Sequence, residues 1–303
     1  MNLYKNFIPK KMRFAILRAL KFVPDKQMIQ LQYYVKLKRK LNLKNPQRYT
    51  EKIQWYKLNY RNDDMPICVD KYRVREYIHK KGLDDILVPL YASYDKTDDI
   101  HLADLPSKFI LKTTNGSGTN VICKDKSKLD ESQLKEQVAT FLKQSSASAG
   151  REWAYSHVIP KIIVEQLLED PSSPDGSIND YKFLCFNGKP EYVVLDVDRF
   201  TIHKRNIYDT QWNNLHVSSD CPCSYIDYPK PDTLDEMLRI AKLLCEDFPA
   251  VRVDLYSVSG KVYFGELTFF PWSGYVQYAP DSFDFEMGEK FVLPNADEKK
   301  NKS

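Results

Sequence analysis

The sequence predicts an α+β protein, with a helical, basic amino-terminal region followed by lobes built on antiparallel hairpins. Three observations predict it. The chain up to Gly82 holds a succession of helix-like stretches. Two turn signals downstream, Asn187-Gly188 and Ser259-Gly260, each separate a pair of strand-like runs. Between those hairpins, residues 231–247 alternate apolar and polar positions at helical spacing, with Pro231 at the start.

In chain order, a short amphipathic helix is expected over residues 12–23, stopped by Pro24. A second helix is expected from Lys26 to Lys40, ending in the basic cluster Lys36, Lys38, Arg39 and Lys40. Thr50 stands where an N-cap would open a third helix through Trp55 to Tyr60. Pro66 opens a fourth, carrying Asp70, Lys71, Arg73 and Arg75 and ended by Gly82. Val88 to Tyr94 is a short apolar run. Phe109 to Thr113 and Asn120 to Cys123 form a hairpin around a small glycine loop. A polar helix follows over 129–144, then a buried strand at Ile162-Ile163-Val164, then a surface loop over 171–179 rich in Pro, Ser, Gly and Asp. The expected divisions are a basic helical region over 1–60, a connecting segment over 61–108, a small lobe over 109–164, a large lobe over 165–294, and a frayed tail over 295–303.

A chain of 303 residues can bury cores in two or three lobes. Twenty Tyr and 15 Phe supply many aromatics to bury, which argues against disorder. No apolar run is long enough to span a bilayer, and Met1 to Lys11 lacks the apolar core of a signal peptide. Six cysteines, none in a CxxC pair and none at zinc spacing, fit small buried side chains in a reducing cytoplasm. Charge is unevenly placed: residues 1–50 carry 13 Lys or Arg against Asp25 alone, a net of +12, so a total of +4 leaves −8 on the remainder. Such a segment either meets a polyanion, an anionic membrane surface among them, or packs its solvated face on the acidic remainder.

Four groups of residues could carry chemistry. Asn115-Gly116-Ser117-Gly118 follows a strand holding Lys112, so backbone N–H groups and an ammonium could meet phosphate oxygens; an ordinary hairpin turn has the same sequence. It is neither a Walker A loop nor a dinucleotide fingerprint. Arg252 and Asp254 share a face of one strand, Glu266 and Thr268 a face of the next. Two carboxylates so placed can hold a hard cation such as Mg2+, or can simply pair with Arg252. Asp180 and Lys182 share a face on a strand entering a tight hairpin, and a Lys there needs a partner. Glu165-Gln166-Leu167 leaves a buried strand, where backbone groups could hydrogen-bond a flat base.

The order of these groups, with Asp70-Lys71 upstream, resembles the ATP-grasp superfamily. More narrowly, Asp70 to Arg75, Leu111 to Gly118, Arg151-Glu152-Trp153-Ala154-Tyr155, Asp180 to Gly188 and Phe264 to Pro271 resemble the TupA-like ATP-grasp family, tied to teichuronopeptide, capsular and other surface-polysaccharide biosynthesis. The resemblance covers roughly residues 40–294. It implies an ATP-grasp fold, two α+β lobes gripping ATP, behind a basic helical extension. It also implies an ADP-forming carboxylate–amine ligase using ATP and Mg2+, whose substrates would be an amino acid and a sugar or glycopeptide. By position, Lys71 and Lys112 would hold phosphates under the 115–118 loop. Glu165, Gln166 and Leu167 would hold adenine, with Lys182 near the adenine and phosphates. Asp254 and Glu266 would ligate Mg2+, and Arg252 would stabilise charge at the reacting centre. Thr268 stands where the superfamily's third ligand is usually Asn. Arg199 and Arg205 could contact substrate or serve the surface, and His157 and Trp153 could line the substrate side.

Two rivals predict other features. A nucleotide-sugar glycosyltransferase would use a metal-binding Asp-x-Asp, and Asp196-Val197-Asp198 has that form, but no parallel βαβ series surrounds it. A nucleic-acid-binding protein would use the basic amino terminus, but no recognised motif appears and no nucleic-acid partner is expected.

Overall fold

The computed structural model describes residues 20–116, 118–143, 150–173, 176–197, 204–224 and 226–294. The helix expected over 12–23, apart from its last residues, and the 295–303 tail lie outside them. The described residues form helices and two antiparallel sheets, so the α+β expectation holds. One sheet has four strands, in the order β1 (Leu90–Tyr94), β4 (Ile162–Glu165), β2 (Phe109–Thr113) and β3 (Asn120–Cys123). The other has five, in the order β7 (Lys204–Asp209), β6 (Lys189–Val197), β5 (Asp180–Phe186), β8 (Ala250–Val258) and β9 (Lys261–Thr268).

Alternation along β2 decides how the small sheet is used. Phe109 and Leu111 are buried against Leu134 and Val138 of helix α5 (Glu131–Leu142), while Ile110 and Lys112 face the other way into a cleft. On the large sheet, α6 (Leu234–Cys245) lays Met237, Ile240 and Leu244 on a continuous core with Phe183, Val193 and Val253. This helix begins three residues beyond Pro231, with Thr233 preceding its first turn. Both hairpin turns have two residues at positive φ, Asn187 (49°) with Gly188 (76°) and Ser259 (51°) with Gly260 (77°). That twist matches the strands they join.

The amino-terminal helices differ from the sequence reading in three places. Helix α1 (Asp25–Leu37) ends before the basic cluster is complete, because Lys38 takes the left-handed conformation and its N–H closes on Tyr34. Thr50 is not a cap but lies inside α2 (Tyr49–Asn59). Its N–H and Oγ1 bond instead to the carboxylate of Asp284, at 2.9 and 2.8 Å. That carboxylate belongs to α7 (Ser282–Lys290), which the sequence reading did not anticipate. The expected helix over 66–82 is two, α3 (Asp64–Cys68) and α4 (Val74–Lys80). Asp70 interrupts it: its Oδ1 accepts the N–H groups of Tyr72 and Arg73 at 2.8 and 3.2 Å, which leaves Lys71 on a turn that lines the cleft. No helix among the described residues is long and apolar enough to cross a membrane.

Candidate active site

A cleft of about 710 Å3 separates the two sheets. Lys71, Lys112, Glu165, Gln166, Leu167 and Glu266, six of the residues singled out from sequence, line it together. On the small-sheet side, register places Ile110 opposite Ile122 on β3 and opposite Glu165 on β4, giving an apolar floor edged by charge. Lys112 Nζ donates to Glu165 Oε2 at 2.7 Å, and Arg75 of α4 donates to Oε1 at 3.3 Å. Both oxygens of Glu165 are thus bound by cations. The N–H of Gln166 is likewise used, donating to Pro89 O at 2.9 Å. Were this segment to hold a base, its carbonyl and the backbone of Leu167 would be the groups to do so.

The glycine loop is anchored from two sides. Lys71 Nζ donates to the carbonyl of Gly116. Asn115 turns away from the cleft and caps the carboxyl end of α5, donating to the Leu142 carbonyl at 3.0 Å. Gly118 has φ 70° with open space around it, so a tight turn is what requires it. Ser117 lies outside the described residues. Burial lowers the pKa of Lys71, with Glu266 opposing and Lys112 adding to the shift, so the lysine sits electrostatically between both walls of the cleft.

The large sheet presents a row of charge across all five strands, buried on β7, β6, β5 and β8 and open to the cleft at Glu266 on β9. On β7, Arg205 Nε donates to Asp196 Oδ1 on β6 at 2.7 Å, and its NH1 to Asp220 at 3.2 Å. Lys182 on β5 bonds to the Asp180 carboxylate, with Asp254 Oδ2 at 3.5 Å and Asp196 Oδ2 at 3.9 Å. It does not line the cleft, because three carboxylates on three adjoining strands enclose its ammonium. On β8, Arg252 grips both oxygens of Asp254, at 2.6 and 2.7 Å. Its NH2 also donates to Glu266 Oε1 at 2.8 Å and Thr268 Oγ1 at 3.2 Å on β9.

The three expected metal-ligand side chains therefore converge on one nitrogen. Among the described residues, no three His, Cys, Asp or Glu form a metal cage by themselves. Two carboxylates and a hydroxyl nevertheless suit Mg2+, which takes one or two carboxylates and completes its octahedron with water and substrate phosphates. Burial pushes Asp254 up to about 6 against the opposing pull of Arg252 and Lys182. For Glu266 burial acts in the same direction, but Arg252, Lys71 and Lys182 together bring it below the ordinary value. Arg252 stays charged: burial is outweighed by Asp254 and Glu266.

Residues missed in the sequence complete the site. Arg75 holds Glu165, Asp196 and Asp220 hold Arg205, and Trp272 lies against two guanidinium groups, 4.5 Å from Arg205 and 5.2 Å from Arg252. The lone signal for Asp196 was the Asp-x-Asp pattern. Its first member is spent on Arg205 and Lys182, and Asp198, like Arg199, lies outside the described residues. His157 is exposed and packs edge-on against Trp153.

Two antiparallel sheets facing a cleft, lined by Lys71, Lys112 and by Glu266, which Arg252 ties to Asp254 behind it, define a two-lobed α+β protein. Its sequence matches the TupA-like ATPgrasp family over residues 51–292, most of its length, and the chain belongs to that family. No curated protein matches it. Among solved structures it is similar to D-alanine–D-alanine ligase from Bacillus anthracis, at 16% identity over 76% of this chain and 67% of that one, with a TM-score of 0.45. The same enzyme complexed with ATP gives 17% identity over 67% and 54%, with a TM-score of 0.40. The L-amino acid ligase from Bacillus licheniformis gives 15% over 84% and 55%, with a TM-score of 0.43. The matched chains are longer: this one spans between 54% and 67% of them.

Proposed function

We propose that this protein is an ATP-dependent, ADP-forming ligase that joins a carboxylate to an amine through an acyl phosphate. The observation carrying this reading is the cleft itself, walled by Lys71 and Lys112 on one side and by Glu266, tied to Arg252 and Asp254, on the other. Its volume falls within the range of small-molecule sites. Lys71 and Lys112 would bind phosphate oxygens, and the apolar floor of Ile110 and Ile122 would pack against the base. Asp254, Glu266 and Thr268 would hold Mg2+, which neutralises phosphate charge when bound. A substrate carboxylate attacks the γ-phosphorus, the bond to the β-phosphate oxygen breaks, and ADP leaves. An amine then attacks the acyl carbon and expels phosphate. Arg252 meets the negative charge gathering on the transferred group, and Lys182 holds the row behind it in place.

The finer reading places the enzyme in surface-polysaccharide synthesis in the cytoplasm, attaching an amino acid to a sugar or glycopeptide, and rests on the family. Peripheral contact with an anionic leaflet is supported by Phe22, Leu31 and Tyr34, exposed beside Lys26 and Lys38. Co-sedimentation with anionic vesicles tests it; equal pelleting of the intact chain and of a form lacking residues 1–24 and carrying Leu31→Ser and Tyr34→Ser would remove the idea.

The test of the activity is ADP release from ATP and Mg2+ against a panel of amino acids and uronic-acid sugars. Substrate-dependent ADP lost in both Asp254→Asn and Glu266→Gln is expected. Absence of ATP binding would overturn the ligase reading and turn attention to UDP-sugars.

A further inference from the structure

The segment after β9 bends in a way side chains normally avoid. Trp272 (φ 48°), Ser273 (φ 57°) and Gly274 (φ 64°) are left-handed in succession, and only the last is a glycine. Such strain persists only where the surroundings over-determine it. They do so from α2. Gln54 Nε2 donates to the carbonyls of Ser273 and Gly274, both at 3.0 Å, and the buried Lys57 ammonium donates to Ser273 O at 2.8 Å. Ser273 Oγ bonds to the Glu152 carboxylate. The product of this clamp is the placement of one indole ring against both Arg205 and Arg252.

Those arginines stand on β7 and β8, on either side of Lys182 in the charge row, and each is nearly enclosed, at 6% exposure. Carboxylates fix their edges: Asp196 and Asp220 for Arg205, Asp254 and Glu266 for Arg252. Those bonds hold the edges of the guanidinium groups, and the ring of Trp272 adds a contact over each of them. We infer that Trp272 is a positioning residue for both arginines, held in its left-handed turn by Gln54 and Lys57 so that the guanidinium planes keep their orientation. The catalytic importance of that orientation rests on the ligase reading; the positioning itself does not.

The experiment observes the arginine Nε–H groups by nuclear magnetic resonance on full-length protein labelled at arginine, assigned by loss of each signal in Arg205→Lys and Arg252→Lys. Both should be shifted and slow to exchange with water. In Trp272→Ala their exchange should speed up by roughly tenfold, with backbone amides of Phe183 and Val253 unchanged, as local release predicts. Trp272→Phe should restore slow exchange. Trp272→Leu keeps bulk without the charged-face attraction and takes the place of the Ala variant if that one does not fold, with the same roughly tenfold faster exchange expected. Unaltered Nε–H shifts and exchange in a folded Ala or Leu variant would overturn the inference. No substrate is needed, so failure of the ligase reading would leave this result standing.

Discussion

The ammonium of Lys112 lies 2.7 Å from Oε2 of Glu165, and Arg75 holds the other oxygen of the same carboxylate. Glu165 thereby sets the position of Lys112 at the edge of the cleft. Lys112→Met should weaken ADP binding about tenfold to hundredfold, the range for a lost hydrogen bond to a charged group. Glu165→Gln keeps an acceptor for Lys112 and should cost about threefold to tenfold. Titration calorimetry separates the two. Equal losses would mean that Glu165 contacts the nucleotide itself.

Thr268 shares Arg252 NH2 with Glu266 but brings no charge to the set. Thr268→Ala should therefore lower Mn2+ affinity less than Glu266→Gln does, by about threefold against at least about thirtyfold, since a hard cation gains most from the carboxylate. Electron paramagnetic resonance of bound Mn2+ in the presence of ADP reads both. A Thr268→Ala loss as large as that of Glu266→Gln would contradict this ranking.

Lys57 is buried, and that burial lowers its pKa to about 7, with Glu152 opposing the shift. Between about pH 7 and the unfolded value of roughly 10.4 the unfolded chain binds more protons, so stability rises with pH across that window. The contribution is complete above the window and is lost as pH falls through about 7. Lys57→Met should flatten this part of the profile by up to about 1.4 kcal/mol per pH unit. Urea midpoints at pH 6.5, 8 and 9.5 test it; parallel profiles for the two proteins would contradict the assignment.

Gly274 has φ 64°, and a methyl group there would approach Gln54 Nε2 and Ile53 Cγ2 to 2.5 Å. Gly274→Ala should cost about 2–4 kcal/mol, combining left-handed strain with overpacking against α2. Chemical denaturation measures it. A loss below about 0.5 kcal/mol would show that α2 yields easily and does not clamp the turn.

The hairpins were legible because their signals are local: Asn187-Gly188 and Ser259-Gly260 both adopt the positive φ that their sequences favour. Shared faces on β8 and β9 follow from strand alternation, which is why Asp254 and Glu266 could be paired unaided. Helix α7 was not legible. Its buried stripe is Phe283, Asp284, Met287 and Gly288, and two of those four are an acid and a glycine, so no apolar period marks it. Strand β7 escaped likewise because Arg205 and Asn206 are buried by polar partners, Asp196 and the chain around Ser224, far from them in sequence. The break at Asp70 needed knowledge of where a side chain would turn back on its own backbone. Gln54 and Trp272 meet only once the fold brings residues 54 and 272 together.

The acceptor for the first turn of α2 is supplied by Asp284, 234 positions downstream, and the salt bridge from Arg48 to Asp281 spans a similar interval. The two halves of this arrangement leave a ribosome well apart in time, because 234 positions separate them. Until the later elements have emerged, α2 keeps its local Glu51 acceptor but lacks both the Asp284 carboxylate and the turn that it grips. Closing so long a loop is slow, and the apolar face of α2 stays open to other chains for that interval.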